Sequence, residues 1–276
     1  MKFTPNLAAL HAYLCGDGYV IKNPPTQKHK YYKIGLRNTN EVLLKDFQTK
    51  FKQVFGLEPI IYRNERCSIG NKKIYHLLTK DFSYYSYEWK LPKLSKQNLR
   101  FWLRAFFDCE GWVENRPRQS RLIGLDCCNE SGLKSVQKAL QRYKITSHIR
   151  KRKNRTIWSL TICGKDNLRK FQKEINFLHP PKKEKLEEAL HSYVNYWWTI
   201  PTTKKELFSF VNEKCKFRAS RNELRLLSIH QQNLLKIKKA LKNYEVLSQL
   251  FGPWKNQWGT KYYCLSIKGG LFRNGT

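Results

Sequence analysis

The chain has 276 residues, 41% of them hydrophobic, and its 53 lysines and arginines against 21 aspartates and glutamates give a formal net charge of +32. That is enough length and apolar content for one large domain or two to three small ones, and a charge excess spread along the whole chain points to a polyanion, of which nucleic acid is the commonest. No apolar run approaches the roughly 20 residues of a membrane span, no signal peptide follows Met1, and eight cysteines without a Cys-x-x-Cys spacing speak against zinc and for buried thiols in a reducing, intracellular setting.

In chain order, Thr4 and Pro5 open a helix that Gly16-Asp17-Gly18 stops. Ala8, Ala12 and Gly16 fall four apart, on one face that another backbone can approach closely. A basic hairpin over residues 19–37 follows, then a helix from Asn40-Glu41 to Gly56, with Val42, Leu43, Phe47, Phe51 and Val54 on its apolar side. Strands are expected around residues 60–68 and 72–79, turned by Gly70-Asn71, and a helical 80–87 closes a first unit.

The stretch Leu10-His11-Ala12-Tyr13-Leu14-Cys15-Gly16-Asp17-Gly18 returns as Leu103-Arg104-Ala105-Phe106-Phe107-Asp108-Cys109-Glu110-Gly111. Ile34-Gly35-Leu36 with Asn40-Glu41 returns as Ile123-Gly124-Leu125 with Asn129-Glu130, and Ile74 to Leu77 is matched with Ile157 to Leu160. The offset between copies then falls from 93 to 89 to 83, as loop shortening would produce, and the ordered matches read as an internal duplication. Residues 1–94 form the first repeat, and residues 95–198 the second, opened by Ser95 as N-cap and closed by a helix over residues 182–196. An acid directly before glycine at a helix C-terminus faces the negative end of the helix dipole. Two such acids brought together make a metal-binding pair.

Residues 199–276, with 15 basic and 4 acidic side chains, read as three short helices (204–214, 220–228, 231–244) and a strand over 261–268. This is the outline either of a winged helix-turn-helix or of an ordinary small helical domain packed on the repeats. The fold class is therefore α+β: two pseudo-symmetric αββαββα repeats forming a β-saddle, plus a small, mainly helical C-terminal domain.

The paired motifs resemble those of the LAGLIDADG homing endonucleases in their monomeric two-repeat form. They match at the final glycines Gly18 and Gly111, the acids Asp17 and Glu110, and the hydrophobic middle, and they depart at Ala12 and Ala105, which replace an interior glycine, and at Cys15, which replaces an acid that Asp108 keeps. The resemblance implies a monomer that cuts both strands of a long asymmetric duplex DNA site, with Mg²⁺ or another divalent cation such as Mn²⁺ held by Asp17 and Glu110 and by the carbonyls of Gly16 and Cys109. It also implies that Asn40, Asn129, Lys80 and Lys165 order solvent near the metals, although the asparagines read equally well as helix N-caps and the lysines as surface charges. The saddle's DNA contacts would come from Lys22, Lys28, Lys30, Lys33 and Arg37, from Arg63, Arg66, Lys72 and Lys73, and from Arg116, Arg118, Arg121, Arg150, Arg152, Lys153 and Arg155. Two other roles fit the same features: an RNA-binding maturase acting on intron RNA, and a non-cleaving transcription regulator that uses its C-terminal domain on DNA.

Overall fold

The computed structural model describes residues 2–29, 31–116, 120–153, 155–193, 198–257 and 259–268, so the expected contacts Lys30 and Arg118 lie outside the described residues. The chain divides into two compact units, Met1–Tyr193 and Val194–Thr276.

The first unit opens with α1 (Pro5–Cys15), whose N-cap Thr4 side chain accepts from the Leu7 amide. β1 (Gly18–Lys22), β2 (Tyr32–Arg37), α2 (Glu41–Phe55), β3 (Ile60–Tyr62), β4 (Arg66–Gly70) and α3 (Lys72–Thr79) complete the first copy. The second consists of α4 (Lys96–Glu110), β5 (Gly111–Arg116), β6 (Ser120–Cys127), α5 (Glu130–Gln141), β7 (His148–Lys151), β8 (Trp158–Cys163) and α6 (Lys165–Glu174), and α7 (Pro180–His191) follows it. Each copy is αββαββα, with antiparallel sheets ordered β1-β2-β4-β3 and β5-β6-β8-β7.

α1 is buried on all sides from Leu7 to Cys15, as expected of a helix that is apolar all round. It packs against α4 through its small residues, and the seam is tight: a Cβ added to Gly16 would lie 2.6 Å from the Cβ of Cys109. The closing glycines have a related cause. A Cβ at Gly18 would meet Leu14 Cα at 2.4 Å, and one at Gly111 would meet the Phe107 carbonyl oxygen at 2.4 Å, because the chain folds back onto its own helix there. The repeated Ile-Gly-Leu is explained by side chains crowding the glycines, the Tyr19 hydroxyl and Ser68 at Gly35 and the Trp112 ring over Gly124. Trp102 and Phe106 of α4 stack on each other and Trp89 packs tilted against both, with ring centroids 4.7–5.9 Å apart.

Three expectations need correction. Residues 72–79 form helix α3 and not a strand, and this helix takes the place of the one expected over 80–87, which is irregular: Asn71 caps α3, accepting from the Ile74 amide at 2.9 Å, and Ile74 and Leu78 are buried at helical spacing. The hairpin turns instead at Arg63 and Asn64, both at positive φ. The counterpart of β8 is consequently β4. Leu36 pairs with Cys67 as Leu125 pairs with Leu160, so the offset returns to 93 after the central 89 and does not fall to 83. The helix after Pro180-Pro181 includes both prolines at its start and ends at His191.

The second unit is not mainly helical. It runs α8 (Lys204–Lys214), β9 (Lys216–Arg218), a 3-10 turn (Ala219–Arg221), β10 (Glu223–Ser228), α9 (Gln231–Lys242), β11 (Ser248–Lys255) and β12 (Lys261–Lys268). Residues 220–228, expected as a helix, supply a central strand. Leu224, Leu226 and Ser228 alternate inward, and β10 is paired on both sides. The winged helix-turn-helix outline is thereby excluded. The unit's core comprises Leu207, Val211, Leu224, Leu226, Leu234, Ile237, Leu241, Val246, Leu265 and Ile267.

Candidate metal and DNA site

The seam between α1 and α4 ends in the two motif acids. Asp17 follows the Gly16 cap of α1, and Glu110 is the last residue of α4. The Asn38 side-chain amide donates to Asp17 Oδ2 at 2.7 Å, and the Arg37 amide donates to the Asp17 carbonyl at 3.0 Å, so the loop after β2 fixes the first acid. Burial, reinforced by the charge of Asp17, pushes the Glu110 carboxyl up to about 7, while Lys182 pulls it back. A cleft of about 490 Å³ opens here, lined by Asp17, Arg37, Asn38, Thr39, Glu65, Asp108, Cys109, His179 and Lys182.

Lys182, from the first turn of α7, reaches the C-terminal end of α4. Its ammonium donates to the carbonyls of Phe107 at 3.4 Å, Asp108 at 2.5 Å and Cys109 at 3.1 Å, the position where the helix dipole favours a cation. Burial lowers its pKa. Asp108, fully buried, docks α7 onto α4 by accepting from the amides of Leu178 and His179, each at 3.0 Å. Burial raises its carboxyl to about 7 against those hydrogen bonds. The Cys109 thiol is pushed well up by burial, with Asp17 adding to the effect, and is held as a neutral packing group.

The remaining expected site residues are spread more widely. Asn40 caps α2, accepting from the amides of Val42 and Leu43, and its side-chain nitrogen lies 3.5 Å from His179 Nε2. Asn129 caps α5 and donates to the Trp89 carbonyl. Both asparagines therefore serve as caps, and Asn40 also borders the cleft through His179. Lys80 caps the end of α3 and is exposed, whereas Lys165 begins α6 with its ammonium over the Tyr193 ring. By the register of the sheets, the counterpart of Lys165 is Lys72, not Lys80. Gly16 meets the Cys109 side chain at the seam, and the Cys109 carbonyl is engaged by Lys182.

Strand alternation sorts the candidate DNA contacts. Ile34 and Leu36 face the helices, so Lys33, Arg37 and Arg66 stand on the opposite face of the first sheet. Arg116 and Arg150 stand correspondingly on the second. Lys22, Lys28, Arg63, Lys72, Lys73, Lys153 and Arg155 are exposed at strand ends, turns or the start of α3. Arg121 points the other way, bonded to Ser192 and stacked on Tyr193 at 4.7 Å, while Arg152 is ion-paired with Asp126 at 2.5 Å. Asn38, His179 and Lys182 were not singled out from the sequence. Asn38 had a local signal in the turn Asn38-Thr39-Asn40, whereas Lys182 is brought in only by the tertiary docking of α7.

Two pseudo-symmetric αββαββα repeats, meeting through a small-residue helix seam that ends in carboxylates, define an α+β protein of the two-repeat LAGLIDADG class. Consistent with this, the LAGLIDADG-like domain family matches twice, at residues 4–83 and 97–176, and the chain belongs to that family. Among curated proteins it is similar to the replication factor C small subunit of Thermococcus kodakarensis, 32% identical over 134 residues that make up 47% of this chain and 14% of that protein. It is also similar to the subunit of the same name from Methanocaldococcus jannaschii, 26% identical over 230 residues, 80% of this chain and 12% of that protein. The chain thus spans no more than 14% of the length of either relative. Among solved structures it resembles I-DmoI in complex with DNA and Ca, with 16% identity and a TM-score of 0.49 over 66% of this chain and 99% of that one. Full-length DUF199/WhiA from Thermatoga maritima is 15% identical with a TM-score of 0.47, over 77% of this chain and 68% of that one. Among the described residues no helix is long and apolar enough to cross a membrane.

Proposed function

We propose that this protein is a site-specific DNA endonuclease that hydrolyses both strands of a long asymmetric duplex with the help of a divalent cation. The observation that carries the reading is the pair of carboxylates, Asp17 and Glu110, at the end of the α1–α4 seam, where burial and then the charge of Asp17 raise the Glu110 carboxyl to about 7. Such a pair gains from a shared cation. Two carboxylates with backbone and solvent oxygens would be the donor set; among the described residues no larger cluster of three or more His, Cys, Asp or Glu side chains forms. That set fits a hard cation such as Mg²⁺ or Mn²⁺. Asp17 and Glu110 would hold the ion, with the Gly16 carbonyl as the expected backbone donor. When bound, it polarises a phosphate oxygen and makes water a better nucleophile.

The chain's own residues supply the rest. Asn38 orients the Asp17 carboxylate, and Lys182 offsets the local negative charge. Lys33, Arg37, Arg66, Arg116 and Arg150 present cations on the faces of the two sheets turned away from the helices, where strand pairs meet phosphates and base edges. Because these side chains differ between the halves, the target is asymmetric.

A plasmid library carrying randomised inserts, incubated with Mg²⁺ and sequenced at the ends produced, tests this: ends should converge on one sequence class and vanish with EDTA. A second reading, a non-cleaving DNA-binding regulator, is favoured by the Lys182 ammonium, which already sits on the Cys109 carbonyl. Duplex binding without ends in either Mg²⁺ or Mn²⁺ would support it.

A further inference from the structure

The second unit has the topology of the repeats. Its elements run α8-β9-β10-α9-β11-β12, and its sheet is ordered β9-β10-β12-β11, the same path as α1-β1-β2-α2-β3-β4 with β1-β2-β4-β3. The register agrees residue by residue. Leu224 and Leu226 face Ile267 and Leu265 as Ile34 and Leu36 face Ile69 and Cys67. In all three copies a side chain at the end of the second strand accepts from the amide two residues on, at the helix cap: Asn38 from Asn40 at 2.8 Å, Cys127 from Asn129 at 3.3 Å, and Ser228 from His230 at 3.0 Å.

The register also places the motif position. Gly18 lies opposite Leu36 and Gly111 opposite Leu125. Lys216 lies opposite Arg225, so Cys215 corresponds to these glycines and Lys214 to Asp17 and Glu110. Leu207-Phe208-Ser209-Phe210-Val211 then aligns with Leu10-His11-Ala12-Tyr13-Leu14. The small stripe Ala8, Ala12, Gly16 becomes Lys205, Ser209, Glu213, all exposed, and Lys214 is ion-paired with Glu213. This copy has lost both the helix-pairing face and the metal acid. What it keeps is a sheet whose face away from the helices carries Lys216, Arg218, Arg225 and Lys268 around a single carboxylate, Glu223. On the edge strand β11 of the same sheet the rings of Phe251 and Trp254 stack, and Phe251 occupies the register position of Tyr62.

We infer that residues 204–268 are a third, non-cleaving copy of the repeat that binds duplex DNA through this sheet face. The inference rests on the reading that the first two sheets bind DNA by their equivalent faces. Duplex DNA is the occupant favoured by a net positive face with the same strand path as those sheets, since cations on such a face neutralise phosphates.

The test is fluorescence anisotropy of the full chain on a 40-bp duplex of random sequence, titrated at several salt concentrations. Each phosphate contact removed lowers the salt slope by about 0.9. A Lys216→Ala, Arg218→Ala, Lys268→Ala variant should therefore lose roughly two to three units of slope and bind about tenfold or more weakly near physiological salt. A Lys33→Ala, Arg66→Ala, Arg150→Ala variant, measured in parallel, reports on the first unit alone. If the first variant binds with unchanged slope and affinity, the third copy has no DNA role, whatever the second variant does. If only the second variant is silent, the reading of the first two sheets fails and the third copy stands. A loss by the first variant that is larger on a single-stranded oligothymidine than on the duplex would also overturn the inference, pointing to base stacking on Phe251 and Trp254.

Discussion

Replacing Gly16 by alanine probes the helix seam on which the proposed site depends. The new methyl would lie 2.6 Å from Cys109 Cβ and 3.2 Å from its Sγ, against about 3.5–4.0 Å for a comfortable carbon contact. The methyl meets a Cβ fixed to the α4 backbone, so the helices have to move apart. Overpacking of this kind costs about 1–3 kcal/mol, and at roughly 2–4 °C per kcal/mol for a unit of this size the melting temperature should fall by about 3–10 °C. The double variant Gly16→Ala, Cys109→Gly removes the colliding atoms from the other side. Thermal or urea unfolding of the four proteins gives a double-mutant cycle with an expected coupling of about 1 kcal/mol or more. Additive effects, or a Gly16→Ala protein as stable as wild type, would refute the close seam.

Three further outcomes follow from the buried groups. His11 is buried beneath Trp102, whose indole donates to it at 3.1 Å, and burial lowers its pKa to about 3. The unfolded chain takes a proton below about pH 6.5 that the folded one refuses, so stability contributed by neutral His11 is full above 6.5 and lost towards 3. The advantage of wild type over His11→Gln in urea unfolding should accordingly shrink by about 2 kcal/mol between pH 7 and 5. Glu110 has the opposite sign: its folded pKa near 7 lies above the ordinary 4.5, so it opposes folding increasingly as pH rises through that interval. Mg²⁺ binding at pH 6, measured by calorimetry in two buffers of different ionisation enthalpy, should release close to one proton, and clearly less at pH 8. Asp108→Ala should cost about 2–4 kcal/mol by orphaning the Leu178 and His179 amides, whereas Asp108→Asn, which keeps an acceptor, should cost much less in the same unfolding assay.

Most of the first unit was legible because its signals are local. Thr4, Asn40 and Ser95 cap as written, Gly56 ends α2 in the left-handed conformation, and the two motifs announce their duplication. The failures share a cause in tertiary pairing. Ile74-Tyr75-His76-Leu77 is too short an apolar run to distinguish strand from helix, and the Asn71 cap decides it. The strand Glu223–Ser228 is set by neighbours on both sides, one of them some forty residues further on. The kinship of the second unit was hidden for a different reason. Lys214 and Glu213 replaced the very residues by which a repeat is recognised, leaving strand order and register as its trace. Asp17 and Glu110 stand out in the sequence as the repeated acid-glycine endings, but Lys182 reaches their neighbourhood only through the docking of α7 by Asp108.

In the proposed reaction Asp17 and Glu110 together hold the cation that promotes DNA cleavage. The direct measurement compares wild type with Asp17→Asn and Glu110→Gln on the sequence recovered from the plasmid library, following both cleavage in Mg²⁺ and duplex affinity. Both variants should bind within a few-fold of wild type and leave the plasmid uncut. Cleavage by either variant at the wild-type rate would contradict that role.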